Sequence, residues 1–201
     1  GNESYPISVN DCFAQNTVTS TLTGSNSSYA GGLIGRAVAT NISGSYAITT
    51  VNAQAWNIGG LVGYLDSGSI DTSYVMGSVN GSSSSIQVGG LVGNTGLNSY
   101  AVTISNSYST ASVSGGMSVG GLVGGANAAT SISNSYATGD GTSVLVGSSN
   151  GGEVTNSSYH AETQTLPTSE QPSSVTGTSP GQEAATTAAD ATSAAATSAS
   201  S

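Results

Sequence analysis

The side chains with catalytic chemistry to offer are few and scattered. His160 is the only histidine, so the His-Glu-x-x-His pair that would hold a catalytic zinc cannot be built. A serine nucleophile needs an oriented base, and His160 has only Glu153 and Glu162 near it in sequence to orient it; a solvated histidine is expected. Asp66, Asp71 and Asp140 are the carboxylates to weigh as a general acid and base. Asp66 lies in a Gly-Ser turn and Asp71 follows an inward Ile70, so turn or outward roles are expected for both. No aspartate position recurs from repeat to repeat, as a calcium-binding roll would require. The reading is a chain with no catalytic residue, no metal site and no cofactor.

Binding chemistry has more candidates. Trp56 has no counterpart in the other repeats and is the candidate contact for a glycan. Tyr46, Tyr74, Tyr108 and Tyr136 could stack sugar rings, but each stands four residues after an isoleucine, which points to a structural ladder. Thr17, Thr19, Thr21 and Thr23 alternate, so a strand would set their hydroxyls on one face, suited to ice or a crystalline polysaccharide. No later repeat carries the same set, and ordinary strand propensity is preferred. Five Asn-x-Ser sequons, at Asn2, Asn26, Asn41, Asn80 and Asn156, are candidate glycosylation sites. Cys12, the single cysteine, has no internal partner and is expected to be a small buried hydrophobe; an intermolecular bridge is the alternative.

These residues ride on a repeat. Gly31-Gly32-Leu33-Ile34-Gly35 returns at Gly59, Gly89 and Gly120, with starts 28, 30 and 31 residues apart. After each comes an Ile-to-Tyr block: Ile42 to Tyr46, Ile70 to Tyr74, Ile104 to Tyr108 and Ile132 to Tyr136. Five residues beyond the aromatic stand Val51, Val79 and Val113, with Gly141 in the fourth copy. Degenerate copies flank these, at Val9 to Phe13 with Val18, and at Leu145-Val146-Gly147 with Val154 and Tyr159. β-Branched and aromatic residues in short runs bounded by Gly, Asn and Ser are strands, and Gly pairs make poor helices. One such unit cannot bury its apolar stripe alone, so neighbours stack. The prediction is an all-β parallel β-helix or β-roll solenoid of about six rungs over 1–160, with Leu33, Leu61, Leu91 and Leu122, then Ile42, Ile70, Ile104 and Ile132, then the tyrosines, forming ladders. Glycines are expected to thin one wall so that leucine fills the lumen. Strict alternation puts Leu91 and Val92 on opposite faces, so one of them is expected to point outward or lie under a loop.

Gly-Gly-Leu-Val-Gly followed by Ile-Ser-Asn-Ser-Tyr-Ala-Thr-Gly resembles the GLUG-motif repeats of bacterial and archaeal surface proteins, adhesins and the non-catalytic parts of some immunoglobulin-A-cleaving peptidases. The resemblance spans about residues 7 to 160 and implies a surface scaffold.

Composition agrees. Arg36 is the only Lys or Arg against ten carboxylates, for a net charge of −9, so nucleic acid and anionic membrane surfaces are poor partners. Apolar runs are far shorter than the ~20 residues that span a bilayer. A chain opening on Gly1 fits either one whose leader has been removed or a fragment of a longer chain; the first reading is preferred, and with it a secreted, cell-surface location is expected. From Ala161 the register stops, and 161–201 is a Ser/Thr/Ala/Pro-rich tail, read as a disordered or O-glycosylated stalk; the alternative is a strand donated to a neighbour. The function expected is that of an extracellular structural or adhesive protein that self-assembles end to end or through its tail. A monomeric glycan-binding adhesin on a stalk is the alternative, with a solenoid polysaccharide hydrolase third.

Overall fold

The computed structural model describes residues 6–21, 28–96, 100–142 and 144–160. The tail, Asn2, Asn26, Thr23 and Glu162 lie outside the described residues. All the strand pairs are parallel, and the chain visits four ladders in turn before rising one rung. The first ladder contains Ile7–Asn10, Thr40–Ser43, Gly68–Asp71, Val102–Ser105, Thr130–Ser133 and Glu153–Thr155. The second contains Phe13–Ser20, Tyr46–Ala53, Tyr74–Gly81, Tyr108–Ser109 with Ser112–Ser114, Tyr136–Ala137 and Ser158–Tyr159. The third contains Tyr29–Gly31, Asn57–Gly59, Gln87–Gly89 and Ser118–Gly120. The fourth contains Ile34–Ala37, Val62–Leu65, Val92–Asn94, Val123–Ala126 and Val146–Ser149. The molecule is an all-β parallel solenoid, and no helix among the described residues is long and apolar enough to cross a membrane.

The repeat divides differently from its sequence blocks. The isoleucine and the tyrosine, which read as one block, belong to different ladders separated by a corner, whereas the tyrosine and the valine five residues on share one strand, as in Tyr46–Ala53. Gly-Gly-Leu-Val-Gly, which reads as one segment, is bent between the third and fourth ladders, and each rung therefore has four walls. The bend also answers the alternation problem. Leu91 and Val92 are both fully buried, as are Leu61 with Val62 and Leu122 with Val123, because alternation across the sheet holds only while the chain runs straight. The leucine carbonyl at the bend takes two amides from the rung before: Leu61 O accepts from Leu33 N at 3.1 Å and Ile34 N at 3.0 Å, and Leu91 O from Leu61 N at 3.0 Å and Val62 N at 3.1 Å. Leu33, in the first rung, is only half-buried.

The glycines of this motif do two jobs. A Cβ on the first or the third would meet backbone: at Gly59 it would stand 2.7 Å from Gly93 N, and at Gly93 2.6 Å from Ile58 N. Third and fourth ladders thus pack backbone on backbone. The second glycine faces the second ladder, and a Cβ at Gly60 would stand 2.5 Å from Val75 Cγ1. The lumen there is filled by residues of the second ladder, such as Val75 and Val79, rather than by leucine alone. Val9, Ile42, Ile70, Ile104, Ile132 and Val154 stand in register on another wall, and Val18, Val51, Val79 and Val113 on a third.

Between the first and second ladders each rung turns a corner through one left-handed residue: Asp11, Gly44, Thr72, Asn106, Asn134 and Asn156, with φ between 46° and 57°. Asn and Asp tolerate this region better than most residues, which accounts for the Asn of Ile-Ser-Asn-Ser-Tyr. The serine after it is buried and closes the corner. Ser45, Ser73, Ser107, Ser135 and Ser157 each donate the hydroxyl to the carbonyl two residues back, at 2.7 to 2.9 Å. Each hydroxyl oxygen in turn accepts the corner amide of the rung before: Cys12 N to Ser45, Ser45 N to Ser73, Ser73 N to Ser107, Ser107 N to Ser135 and Ser135 N to Ser157, at 3.1 to 3.3 Å. A file of serines thus runs the length of the solenoid.

The ends differ. Cys12 takes the serine's place in the first rung, its thiol 3.3 Å from Asn10 O, and it is exposed, contrary to the buried hydrophobe expected from sequence. In the last rung Tyr159 follows Val154 by five residues instead of four, so its strand parity flips. Ser158 aligns with Tyr136 and Tyr159 with the inward Ala137. Tyr159 therefore packs against the core rather than extending the outer aromatic row, and its hydroxyl donates to the carbonyls of Gly139 and Thr142.

Two substitutions test these contacts. Ser107→Ala leaves the buried Ser73 amide without its acceptor and is expected to cost ~1–3 kcal/mol, against under ~0.5 kcal/mol for Thr103→Ala on the outer face. Gly90→Ala would drive a Cβ into the Gly121 carbonyl and the Ser109 hydroxyl and is expected to cost ~3 kcal/mol or more. Urea unfolding followed by circular dichroism checks all three.

Candidate functional site

The widest face that carries no charge is the outside of the second ladder. Phe13–Ser20, Tyr46–Ala53 and Tyr74–Gly81 contain no Asp, Glu, Lys, Arg or His. Alternation turns Ala47, Val51, Val75 and Val79 inward, all fully buried, and leaves outward columns fixed by the register. Phe13, Tyr46 and Tyr74 form the first, continued by Tyr108 and Tyr136. Gln15, Ile48 and Met76 form the second; Thr17, Thr50, Ser78 and Ser112 the third; Thr19, Asn52, Asn80 and Ser114 the fourth.

The aromatic column is stacked ring on ring, with centroids 5.4 Å apart for Phe13 and Tyr46 and 4.8 to 5.0 Å apart down to Tyr136. Each stacked pair adds ~0.5–1.5 kcal/mol beyond its buried area. Because the ring faces cover one another, the row offers solvent edges and hydroxyls, not the open platform a stacked sugar would need. Beside it Ile48 is 40% exposed, over a shallow depression of about 360 Å³ bordered by Gln15, Thr17, Ile48, Thr50 and Gly77. Asn16 and Thr49 line the same depression: Thr49 donates its hydroxyl to Asn16 Oδ1 at 2.8 Å, and Asn16 Nδ2 donates to Gly32 O at 2.8 Å, so this polar pair is satisfied.

Thr17, Thr19 and Thr21 are exposed as alternation predicts, and the two that lie in the strand continue as the hydroxyl and amide columns rather than as a threonine array. Trp56 is half-buried at the corner before the third ladder. Its neighbours in register, beside the Tyr29, Gln87 and Ser118 positions, are Ser28, Ile86 and Met117, and it stands off the uncharged face.

The carboxylates do not form a pair with divided roles. Asp66 lies in the turn between Val62–Leu65 and Gly68–Asp71, as expected, but is buried rather than outward, and accepts from the Tyr64 hydroxyl at 3.4 Å. Asp71 points outward from the first ladder and accepts from Ser105, Asn106 and Thr72 at 2.6, 2.8 and 2.9 Å. Those three side-chain donors, Ser105 foremost, hold its carboxyl below the ordinary value, the opposite of what a general acid needs. Asp140 is exposed and its charge helps to raise the Tyr159 phenol, after the larger effect of burial. Glu153 is exposed and His160 half-exposed. Among the described residues no three His, Cys, Asp or Glu side chains are grouped to hold a metal ion. Arg36 lies with its guanidinium 5.7 Å from the ring centroids of both Tyr29 and Tyr64, a cation–π arrangement spanning two rungs that no spacing in the chain announces.

Of the sequons, Asn41 is exposed and accepts from the Ser69 hydroxyl at 3.0 Å. Asn80 donates its amide nitrogen to Asn52 Oδ1 at 2.9 Å. Asn156 fills the left-handed corner position that the repeat assigns to Asn.

Burial first, then neighbouring phenolates, pushes the Tyr108 phenol up to about 12, and burial raises Tyr74 and Tyr136 in the same direction. A group whose folded value is raised contributes stability that is fully present below its unfolded value and lost as pH rises through the folded one. Near-ultraviolet titration is therefore expected to resolve a late-ionising group of tyrosines, with unfolding setting in between pH ~10, the ordinary tyrosine value, and about 12. One wave at the ordinary value for all nine tyrosines contradicts the stacked column.

Neither a curated protein nor a solved structure matches the chain. A family model does match, twice: the GLUG motif, at residues 54–80 and 115–142. Each match contains an aligned part of the same coil, running through the bend into the fourth ladder and, across the corner serine, into the second. The chain is a parallel β-solenoid that carries GLUG-motif repeats.

Proposed function

We propose that this chain is an extracellular structural and adhesive surface protein, without a catalytic role, whose stacked rungs make a stiff building block that self-associates. The observation that carries the reading is the open first rung. Among the described residues no strand pairs with the outer edge of Ile7–Asn10 or Phe13–Ser20, and Ile7 and Phe13 are 59% and 64% exposed there. An unpaired edge of this length with apolar side chains is a template for another chain. The last rung is a poorer template, since its second-ladder strand is only Ser158–Tyr159 and Tyr159 is turned inward; association is therefore assigned to the first rung. Secretion and surface display are supported by the resemblance of the repeats to those of surface proteins, and Asn41 is the sequon best placed to carry a glycan.

Light scattering over a concentration series, with electron microscopy of the concentrated sample, tests the proposal. Concentration-dependent dimers or filaments are expected, abolished by Phe13→Glu. A chain that stays monomeric at high concentration overturns self-association.

A further inference from the structure

We propose that the outer face of the second ladder binds an uncharged, ribbon-shaped polysaccharide, an equatorially linked hexopyranose chain of the cellulose and chitin kind, lying along the solenoid axis. The proposal is independent of self-association, since one molecule presents the whole face.

Three features select this ligand. The first is charge. The chain carries a net charge of −9, yet the strands of this face hold no ionisable group other than tyrosine. An anionic glycan would meet repulsion from the molecule as a whole and no cation on the face, and a cationic one would find its counter-charges elsewhere, at Asp71 and Glu153 of the first ladder. The second is shape. Because the strands are parallel and in register, each column runs straight from rung to rung, so a ligand along it must itself be extended; a coiled, axially linked glucan cannot follow it.

The third is the cross-section. Ile48 and the half-exposed Met76 make an apolar floor, which receives the C–H faces of a flat sugar ring. On one side stand the tyrosine edges and hydroxyls, and on the other the hydroxyls of Thr17, Thr50 and Ser78, both placed to meet the equatorial hydroxyls along the margins of the ribbon. Sugar sites combine an apolar floor with a few convergent polar groups in this way. The contact is to ring edges and aliphatic side chains, so it does not require the open aromatic face that stacking has removed. Beyond the third column the amides and hydroxyl of Asn52, Asn80 and Ser114 are joined to one another at 2.9 Å, which fixes that rim before any ligand arrives.

The test is co-sedimentation of the full chain with insoluble cellulose and chitin, with soluble cello-oligosaccharides as competitors, beside starch and alginate. Retention by cellulose or chitin, displaced by the oligosaccharides and absent with starch and alginate, is expected. Ile48→Glu and Gln15→Glu are each expected to weaken it at least tenfold, while Asp71→Asn on the first ladder leaves it unchanged. Should Ile48→Glu fail to fold, as judged by circular dichroism, the exposed Gln15→Glu decides. No retention on cellulose or chitin, equal retention on alginate, or binding that survives the folded variants overturns the proposal.

Discussion

A chain that turns back on itself once per rung must bury an amide at the corner, where no strand partner faces it. Leaving such an amide unbonded costs ~1–3 kcal/mol, and the cost would recur at every rung. The file from Ser45 through Ser157 removes it with one side chain per rung that both donates and accepts. Few residues can do this in so small a space: the side chain must be short enough to stay inside the corner, and it must hold a donor for its own turn and a lone pair for the rung before. The left-handed residue, the buried serine and the outward aromatic are then consequences of one geometry, and the spacing of Ile, Asn, Ser and Tyr follows from it.

The same thinness governs the opposite wall. Third and fourth ladders approach until backbone meets backbone, and side chains there would have nowhere to go, so glycine is demanded by close approach at Gly59 and Gly93 rather than by turn conformation. The room gained on the other side of Gly60 is taken by Val75 and Val79. Apolar contact across a lumen this narrow is short and continuous, and a rung adds to a stack that already exists. That is the physical basis for a molecule that is stiff along its axis.

Much of this was legible in the sequence. The period, the parallel solenoid and the isoleucine and tyrosine columns follow from the recurrence of Gly-Gly-Leu-Val-Gly and Ile-Ser-Asn-Ser-Tyr, because identical segments can only stack in register. What was not legible depends on bends and parity. Leu91 and Val92 point inward together because the chain bends between two walls, and no alternation rule contains a bend. Tyr159 turns inward through a single inserted residue. Cys12 aligns with Ser45 once Val9 to Phe13 is read as a copy of Ile42 to Tyr46, but its exposure follows from its place in the first rung, which composition does not show. The uncharged groove of Ile48, Met76 and Thr50 could have been found by reading every second residue after each tyrosine, whereas Arg36 between Tyr29 and Tyr64 joins positions whose relation only the coil creates.

The central claim is that the corner serines bond the rungs to one another, and amide hydrogen exchange read residue by residue by nuclear magnetic resonance tests it most directly. The account predicts that the amides of Ser45, Ser73, Ser107 and Ser135 exchange as slowly as those at the buried centres of the first ladder, at Ile70 and Ile104. Exchange of the serine amides at the rate of exposed, unbonded backbone, with the strand centres still protected, would contradict it.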